Sequence, residues 1–305
     1  MGKAQDSGPS KWQDNLERFF IYLESERKYS KHTVSAYRRD LQAFSQFCLE
    51  QNQTIWSDID EALIRRFVSS QHRKGQSARS LQRRLSAVRS LFNYLCRHHG
   101  LANNPAEGVT APKSPKRLPE TLGVDQLNNL LSTSSDDLLM LRDHAMLELL
   151  YGCGLRLSEL TGMNLTDIDW QQQVLTATGK GNKQRRIPFG KKAAIALKTW
   201  IKVRSQLIKQ EEEALFLSKP GRRISNRSVQ VRLKQWVLKK GLDSNAYPHM
   251  FRHSFASHVL ESSSDLRAVQ ELLGHANLST TQIYTHLDFQ HLAGVYDKAH
   301  PRSRK

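Results

Sequence analysis

The sequence has no apolar run that approaches the ~18 consecutive residues that a membrane-spanning helix needs. Its opening segment, MGKAQDSGPSKWQDN, lacks the apolar stretch of a secretory signal. Gly2 follows Met1, but Asp6 stands where a myristoylation pattern needs serine or threonine. These absences predict a cytoplasmic protein that makes no use of a membrane.

Cysteine is scarce, with three residues that lie far apart among apolar neighbours: Cys48, Cys96 and Cys153. An odd, sparse count without a CxxC pair argues against a disulfide framework and against structural zinc. We expect three buried, reduced thiols.

Nucleotide-binding and metal motifs are also missing. Gly152 and Gly154 begin a GxG, but Leu157 occupies the place of the third glycine of a dinucleotide fingerprint. The segment TGKGNK lacks P-loop spacing. His249 and His253 have a zinc-compatible spacing, but HMFRH lacks the glutamate of HExxH and no third ligand is evident.

Positive charge is abundant. The formal net charge is +17, and the pI is near 9.9. Division at Pro112 leaves +6 before it and +11 after it, so both halves are basic. An excess of this size is typical of a protein with a polyanionic partner, because phosphate contacts release condensed counterions. We expect both halves to contact the same polyanion.

The first hundred residues show only helical periodicity, with apolar residues spaced three and four apart. Predicted helices cover Trp12 to Ser25, Thr33 to Gln51, Asp60 to Lys74 and Ala78 to His99. Four arginines on the last helix have no evident acidic partner, and we expect them to contact phosphate: Arg79, Arg83, Arg84 and Arg89. A solvated basic face is the alternative.

The stretch NNPAEGVTAPKSPKRLPETL, residues 103–122, contains four prolines and three basic residues and lacks periodicity. It predicts an extended interdomain linker. After it the pattern is helical again, except that VLTATGKGNKQRRIPF, residues 174–189, predicts a β-hairpin. Predicted helices are Asp125 to Leu131, Leu138 to Tyr151, Lys191 to Lys209, Asn226 to Lys240, His249 to Leu260, Leu266 to Leu273, Thr280 to His286 and Asp288 to Ala299.

Several basic residues stand in distinctive settings in this second half. Arg156 lies in GCGLRLSEL, between the end of one helix and the start of another. Lys180 lies at the tip of the glycine-rich hairpin, where a solvated turn lysine is the alternative. His249 and Arg252, three residues apart, share one helical face. His275 follows Gly274, which we expect to end a helix at the C′ position.

The segment HANLSTTQIYTH contains a single tyrosine, Tyr284. Ser279 and Gln282 have capping-box spacing, which predicts a helix start at Thr280 and places the tyrosine in the second turn. The segment alone does not distinguish a core or surface aromatic from a chemically active hydroxyl.

Taken together and in order, these residues resemble the pattern of the tyrosine recombinase (phage integrase) family. Within the family, the sequence of the C-terminal third is most similar to the Xer subfamily. The family pattern is Arg, Lys, His-x-x-Arg, His in a Leu-Gly-His setting, and Tyr. All six positions match, in order: Arg156, Lys180, His249, Arg252, His275 and Tyr284. The resemblance covers nearly the whole chain.

The resemblance implies a mainly α fold of two domains. These would be a small helical, SAM-like DNA-binding domain at 1–102, a linker at 103–122, and a mostly helical catalytic domain with a small β-sheet at 123–305. It further implies that the helix Asp288 to Ala299 docks on a neighbouring protomer; packing on its own domain is the equal alternative.

It also implies the chemistry of strand cleavage and rejoining. Tyr284 would attack phosphorus and form a 3′-phosphotyrosine, while Arg156 and Arg252 would bind the non-bridging oxygens. Lys180 would protonate the leaving 5′-oxygen. His275 would hydrogen-bond the phosphate, and His249 is the candidate base, although either histidine suits proton transfer. No cofactor or metal is expected.

The implied partners are double-stranded DNA, a sister recombinase (XerD-like) in a heterotetramer on DNA, and a DNA translocase as activator. The implied process is chromosome dimer resolution at cell division. Two alternatives stay open at this point, namely an integrase of a mobile element and a non-catalytic DNA-binding protein with the same fold.

Overall fold

The structure is a computed structural model that describes residues 9–112, 121–132, 135–241, 247–274 and 286–303, with backbone alone at 9–11, 180 and 286–290. The chain divides into two compact units, Met1–Arg117 and Leu118–Lys305. Both units are mainly helical, so the predicted fold class is confirmed. None of the described helices is long and apolar enough to cross a membrane.

The described part of the first unit contains four α-helices and a 3₁₀ turn at Trp56–Asp58. The helices are α1 (Pro9–Ser25), α2 (Lys31–Glu50), α3 (Glu61–Arg73) and α4 (Ala78–His98). Side-chain caps begin three of them, because Ser30, Asp60 and Ser77 each accept a backbone N–H three residues ahead. Their apolar faces meet in one aromatic-rich core. Burial of these stripes accounts for the periodicity in the sequence.

The arginines of α4 have partners that the sequence did not indicate. Arg83 and Arg84 lie 2.8 and 3.4 Å from the carboxylate of Asp40, which is buried on α2. Arg89 donates to backbone carbonyls of the segment that follows α4. The expectation of four arginines without an acidic partner is therefore wrong for Arg83 and Arg84, because packing of α2 on α4 brings Asp40 to them. Arg79 is exposed.

The described ends of the proline-rich stretch pack on the two units. Residues 103–112 contain no helix or strand, but Ala106 and Val109 are buried in the first unit's core. At the other end, Leu122 is buried in the second unit, and its backbone N–H donates to Ser254 Oγ at 2.8 Å. Each unit therefore includes some residues of the predicted linker.

The second unit contains eight helices and one small sheet in its described part. The helices are α5 (Val124–Leu131), α6 (Leu138–Gly152), α7 (Leu157–Gly162), α8 (Lys191–Arg204), α9 (Asn226–Lys239), α10 (Pro248–Ser263), α11 (Leu266–Leu273) and α12 (His286–Ala299). The buried helix α6 lies at the centre of the core, with nearly all of its residues shielded from solvent.

The sheet has three antiparallel strands in the order β1 (Ile168–Asp169), β2 (Val174–Thr178) and β3 (Gln184–Pro188). The predicted hairpin is confirmed, with β2 and β3 paired and a 3₁₀ turn, Lys180–Asn182, between them. The pairing sets Ala177 opposite Arg185. Strand β1 was not predicted, because two residues are too short to show an alternating pattern.

Other differences lie at helix ends and on α12. Helix α8 ends at Arg204 instead of Lys209, because a 3₁₀ turn at Ser205–Leu207 follows it. Helix α12 packs on its own unit, where Leu292 and Tyr296 are buried and the Tyr296 hydroxyl accepts the Gly190 N–H at 3.1 Å. Of the cysteines, Cys48 and Cys153 are buried, but Cys96 is only half-buried.

Candidate active site

The end of helix α11 is the point on which the site is built. Gly274 caps this helix in the left-handed conformation, with φ of 64°, as its position in the sequence predicts. A Cβ at this position would lie 2.9 Å from Arg185 Cδ, so glycine is required for space as well as for φ. The last carbonyls of a helix lack intrahelical donors and carry the negative end of its dipole.

Three arginines supply the missing donors, one for each of three consecutive carbonyls. Arg185 Nε donates to Leu272 O at 3.1 Å. Arg252 Nη2 donates to Leu273 O at 2.6 Å. Arg156 Nη2 donates to Gly274 O at 2.9 Å. Three guanidinium groups from three separate elements therefore meet at the end of α11, directly before His275 in the sequence.

Arg156 reaches this point from the junction of α6 and α7. It occupies the N-cap position of α7, with extended backbone. Gly154 precedes it at φ of +57°, and a Cβ there would lie 2.6 Å from the Phe255 ring, which fixes the close approach of this turn to α10. With its side chain 34% exposed, Arg156 keeps access to solvent.

Glu159 holds both Arg156 and Arg185. Its carboxylate accepts the backbone N–H of Arg156 at 2.8 Å and Arg156 Nη1 at 2.7 Å. Arg185 Nη1 and Nη2 donate to the two carboxylate oxygens at 2.6 and 2.9 Å, a bidentate pair. Burial would raise the pKa of Glu159, but the hydrogen bonds and charge of Arg185, followed by the hydrogen bonds of Arg156, lower it to about 2. The carboxylate is therefore ionised throughout the physiological range.

We expect the Glu159 carboxylate to make folding sensitive to acid. Because its folded pKa lies below the ordinary 4.5, its contribution is present above that value and is lost as pH falls toward 2. The shift corresponds to about 3 kcal/mol of unfolding free energy. Denaturant unfolding followed by tryptophan fluorescence, from about pH 5 downward, should show a steeper decline in the wild type than in Glu159→Gln.

Glu212→Gln is the control for this experiment. The pKa of Glu212 is also lowered, first by the backbone N–H of Ala214, but its carboxylate lies in a more exposed position. Replacement of Glu212 should change the loss of unfolding free energy at falling pH less than replacement of Glu159 does. Equal declines in the wild type and in Glu159→Gln would contradict the role of the Glu159 carboxylate.

Arg252 is buried on α10, which begins with Pro248 at its first position and carries His249 in its first turn. Arg252 Nη1 donates to Gly154 O at 2.6 Å, so its guanidinium spans the α6–α7 junction and the end of α11. Burial, and then the charges of Arg156 and Arg185, lower the pKa of Arg252 to about 9, which leaves it protonated at neutral pH. His249 is exposed.

The hairpin turn that begins at Lys180 starts beside this cluster. A Cβ at Gly179 would lie 3.4 Å from Glu159 Oε1 and 4.0 Å from Arg156 Nη1. The backbone that leads into Lys180 therefore runs past the Arg156–Glu159 pair. The glycine leaves room for this approach.

The structure thus brings together Arg156, Arg252 and the backbone leading to Lys180. It places His249 on the helix of Arg252, one turn away. His275 and Tyr284 lie outside the described residues. Gly274, the neighbour of His275 in the sequence, is bonded through its carbonyl to Arg156.

Sequence reasoning missed Glu159 and Arg185. A signal for Glu159 exists, since a glutamate three residues after an N-cap residue can accept the N-cap backbone N–H. Arg185 had a weaker signal: it shares the alternating face of Ile187 in the predicted hairpin, but the pattern does not tell what an arginine on that face contacts. Among the described residues, no group of three or more His, Cys, Asp or Glu could hold a metal ion.

An arginine cluster of this kind is suited to an anion with two or more oxygens. Arg156 and Arg252 each present a planar guanidinium, and Glu159 offsets only part of the local positive charge. Positive charge fixed in a partly buried site stabilises the additional negative charge that develops when a phosphodiester is attacked. The geometry is therefore suited to phosphoryl transfer.

The sequence model of the Phage integrase family matches residues 120–291, and the model of the Phage integrase N-terminal SAM-like domain matches residues 16–99. The chain therefore belongs to the phage integrase family of tyrosine recombinases, and it is a site-specific DNA recombinase.

Among its relatives, this chain is similar to tyrosine recombinase XerC of Shigella dysenteriae serotype 1 (strain Sd197). The two are 50% identical over 291 residues, which is 95% of this chain and 97% of that protein. Tyrosine recombinase XerC of Escherichia coli O157:H7 is equally similar, with 50% identity over the same length.

Solved structures of the same fold include the Tn1549 transposon integrase in complex with circular intermediate DNA. It has a TM-score of 0.70 at 19% identity and covers 90% of this chain and 98% of its own. The XerH site-specific recombinase bound to a palindromic difH substrate has a TM-score of 0.68 at 22% identity. The match covers 97% of this chain and 91% of the XerH chain. At these identities the likeness concerns the fold.

Proposed function

We propose that this recombinase cuts and rejoins duplex DNA through a 3′-phosphotyrosine formed by Tyr284, with Arg156 and Arg252 as the phosphate-binding residues. His249, Lys180 and His275 complete the proposed set. The observation that carries the proposal is the meeting of Arg156 and Arg252 at the end of α11, where their guanidinium groups donate to neighbouring carbonyls at 2.9 and 2.6 Å.

The carbonyls that hold these guanidinium groups leave their positive charge largely intact. Each arginine has five N–H donors, of which the contacts given above occupy only part. A phosphodiester at this point would accept from the remaining donors and would be fixed for attack. Attack increases negative charge on the non-bridging oxygens, so the same contacts strengthen in the transition state.

Proton transfer is assigned to Lys180 and His249. A free phenol has a pKa of about 10, so only ~0.1% of it is ionised at neutral pH, and attack by Tyr284 needs a base and nearby positive charge. His249 is the proposed base, and it lies exposed on the helix of Arg252. Lys180 begins a turn next to the Arg156–Glu159 pair and is the proposed acid for the leaving 5′-oxygen. His275 is the proposed hydrogen-bond donor to the phosphate.

Rejoining needs no energy source in this scheme. The phosphotyrosine linkage retains the free energy of the phosphodiester, so a 5′-hydroxyl can attack it and release Tyr284. The chain contains neither a P-loop nor a glycine-rich dinucleotide motif. We therefore expect the reaction to proceed without added nucleotide.

Duplex DNA is the proposed partner of both units. The N-terminal helical domain (1–102) would contact DNA, the linker (103–122) would connect it to the catalytic domain (123–305), and the two would enclose the duplex. The positive charge of both halves supports this arrangement. Similar folds have been seen on DNA, in the Tn1549 integrase complex and in XerH on its difH substrate.

The proposed assembly is a heterotetramer with a sister recombinase, XerD-like, under control of a DNA translocase. Its process would be chromosome dimer resolution at cell division, in the cytoplasm. The similarity to XerC over 95% of the chain supports this assignment. Without a protein partner, we expect cleavage of one strand but little complete exchange.

Covalent trapping tests the proposal. A duplex that carries the recombination site and a nick next to the scissile phosphate loses the short strand after cleavage, so the phosphotyrosine cannot be reversed. The protein and this duplex are incubated without metal or nucleotide and separated on a denaturing gel. We expect a protein–DNA adduct that protease removes. Absence of an adduct on a site that the protein demonstrably binds would overturn the proposal.

We expect Lys180→Ala to cleave roughly 100-fold more slowly, because the 5′-oxygen would leave unprotonated. A substrate with sulfur in place of the bridging 5′-oxygen has a leaving group of much lower pKa and needs no acid. The variant should cleave it nearly as fast as the wild type does. Single-turnover rates on both substrates provide the measurement.

Lys183→Ala is the matched control, three residues further along the same hairpin. It should cleave the oxygen substrate at close to the wild-type rate. If sulfur fails to rescue Lys180→Ala, the acid role of Lys180 is wrong even though cleavage itself occurs.

A further inference from the structure

Arg185 is a buried cation of the cluster and contacts both Glu159 and the end of α11. It lies on β3 opposite Ala177 of β2, and its side chain is 8% exposed. The alternation of β3 turns Arg185 and Ile187 inward and leaves Arg186 exposed. Its guanidinium binds both oxygens of Glu159 and the carbonyl of Leu272.

The burial and the contacts of Arg185 separate its role from that of Arg156. Arg156 is 34% exposed at the side chain and can meet a DNA phosphate, whereas Arg185 is covered and its three guanidinium nitrogens donate to Leu272 O and Glu159. Both guanidinium groups nevertheless share Glu159 Oε1, at 2.7 and 2.6 Å. The carboxylate is therefore positioned between a cation that can reach substrate and one that cannot.

Arg185 determines the net charge of the group that it forms with Arg156 and Glu159. Without Arg185, Arg156 and Glu159 would form a neutral pair, and the carboxylate would repel a phosphate bound at Arg156. With Arg185 present, two cations share one anion, and the group keeps a net positive charge. The electrostatic effect is strong because Glu159 is buried, where screening by water is weak.

We propose that Arg185 is a positioning residue of the recombination reaction, which neutralises Glu159 so that Arg156 acts on the phosphate as an uncompensated cation. This inference rests on the proposed function, since it takes Arg156 as a phosphate-binding residue. Arg185 also ties the hairpin that carries Lys180 to the end of α11 through Leu272 O.

The test compares two scissile groups. A phosphodiester carries a negative charge, whereas a methylphosphonate at the same position replaces one anionic oxygen with a methyl group and is neutral. A variant that has lost positive potential at Arg156 should be impaired on the first and much less impaired on the second. A variant whose site is merely misshapen should be impaired on both.

Four variants are compared with the wild type on nicked duplexes of both kinds. Arg185→Gln removes the charge, and Arg185→Lys keeps it without the bidentate geometry. The double variant Arg185→Gln with Glu159→Gln removes the cation and the anion together. Arg142→Gln is the matched control, because Arg142 is also buried and binds a carboxylate, Asp143, and a backbone carbonyl, Leu217 O.

We expect Arg185→Gln to cleave the phosphodiester roughly 100-fold more slowly, a loss typical of removing one fixed source of positive potential from a site where negative charge develops. Its deficit on the methylphosphonate should be several-fold smaller. Arg185→Lys and the double variant should each recover about tenfold relative to Arg185→Gln. The affinity for DNA and its salt dependence should not change, since all three guanidinium nitrogens of Arg185 already donate to Leu272 O and Glu159. For Arg142→Gln, the ratio of the variant's cleavage rate to the wild-type rate should be the same on both substrates.

Two outcomes would overturn the inference while leaving cleavage by Tyr284 intact. One is an equal deficit of Arg185→Gln on both substrates. The other is a double variant that is slower than Arg185→Gln, which would mean that Glu159 and Arg185 act as packing alone. If Arg185→Gln does not fold, Arg185→Lys and the double variant carry the same comparison. Absence of an adduct from the wild type would instead overturn the proposed function itself.

Discussion

Replacing Tyr284 with phenylalanine should abolish the covalent protein–DNA adduct and lower the cleavage rate by at least ~10⁴-fold. The substitution removes a single oxygen atom, and no other group can form the 3′-phosphotyrosine in its place. DNA binding should stay at the wild-type level, because the substitution removes one polar atom and no charge. The measurements are gel analysis of the adduct on nicked duplex and a binding titration on intact duplex.

Tyr247→Phe is the control for this prediction. Tyr247 is the exposed tyrosine that precedes α10, two residues before His249, whereas Tyr151 and Tyr296, the other tyrosines in the described part of this unit, are buried. Its variant should form the adduct at the normal rate. If Tyr247→Phe loses the adduct and Tyr284→Phe keeps it, the nucleophile has been assigned to the wrong residue.

Replacing Arg252 should produce the second large effect. Arg252→Gln is expected to reduce cleavage by ~10³- to 10⁵-fold, the range found when an arginine that stabilises a phosphoryl transition state is removed. Glutamine can still donate to one of the two carbonyls, Gly154 O or Leu273 O, but it brings no charge. Single-turnover cleavage of the nicked duplex measures the effect.

Arg252→Lys should separate charge from geometry through its dependence on pH. The burial and the neighbouring cations that lower the pKa of Arg252 to about 9 act on a lysine as well. Because lysine starts from a lower pKa of about 10.4, the variant should lose its proton within the neutral range. Its residual activity should therefore fall as pH rises from about 6 to about 9, while the wild type retains its charge.

Arg204→Gln is the matched control for Arg252. Arg204 is likewise buried and donates to backbone carbonyls, those of Ala214 and Leu215, and burial lowers its pKa too. Its loss should reduce stability without a selective loss of cleavage. A pH-independent Arg252→Lys, or an Arg252→Gln with near-normal cleavage, would contradict the role assigned to Arg252.

Features that depend on residues close together in the sequence could be predicted from it, whereas contacts between distant residues could not. Helices follow from local patterns, and the position of Gly274 at the end of α11 could be read directly. The hairpin followed from β-compatible residues around a glycine-rich centre. Arg252 and His249 fall on one helix face by spacing alone.

Contacts between distant elements left no such trace. Asp40 and Arg83 meet because α2 packs on α4, and the sequence around either residue does not indicate the other. Arg185 and Glu159 are 26 residues apart and meet only after β3 has paired with β2 in its particular register. Alternation with Ile187 places Arg185 on the inward face, but the register decides which groups it meets there.

The choice of acceptors at the end of α11 has a consequence for how this site tolerates mutation. The three arginines are held there by main-chain oxygens of Leu272, Leu273 and Gly274, and a main-chain oxygen is supplied by every amino acid. Exchange of one apolar side chain for another at 272 or 273 leaves the acceptors in place. A mutational scan should therefore record strict requirements at the arginines and at the glycine, with latitude at the two leucines limited only by packing. In a comparison of related sequences, we expect no position to change together with these arginines, because their acceptors are main-chain oxygens that are the same in every amino acid.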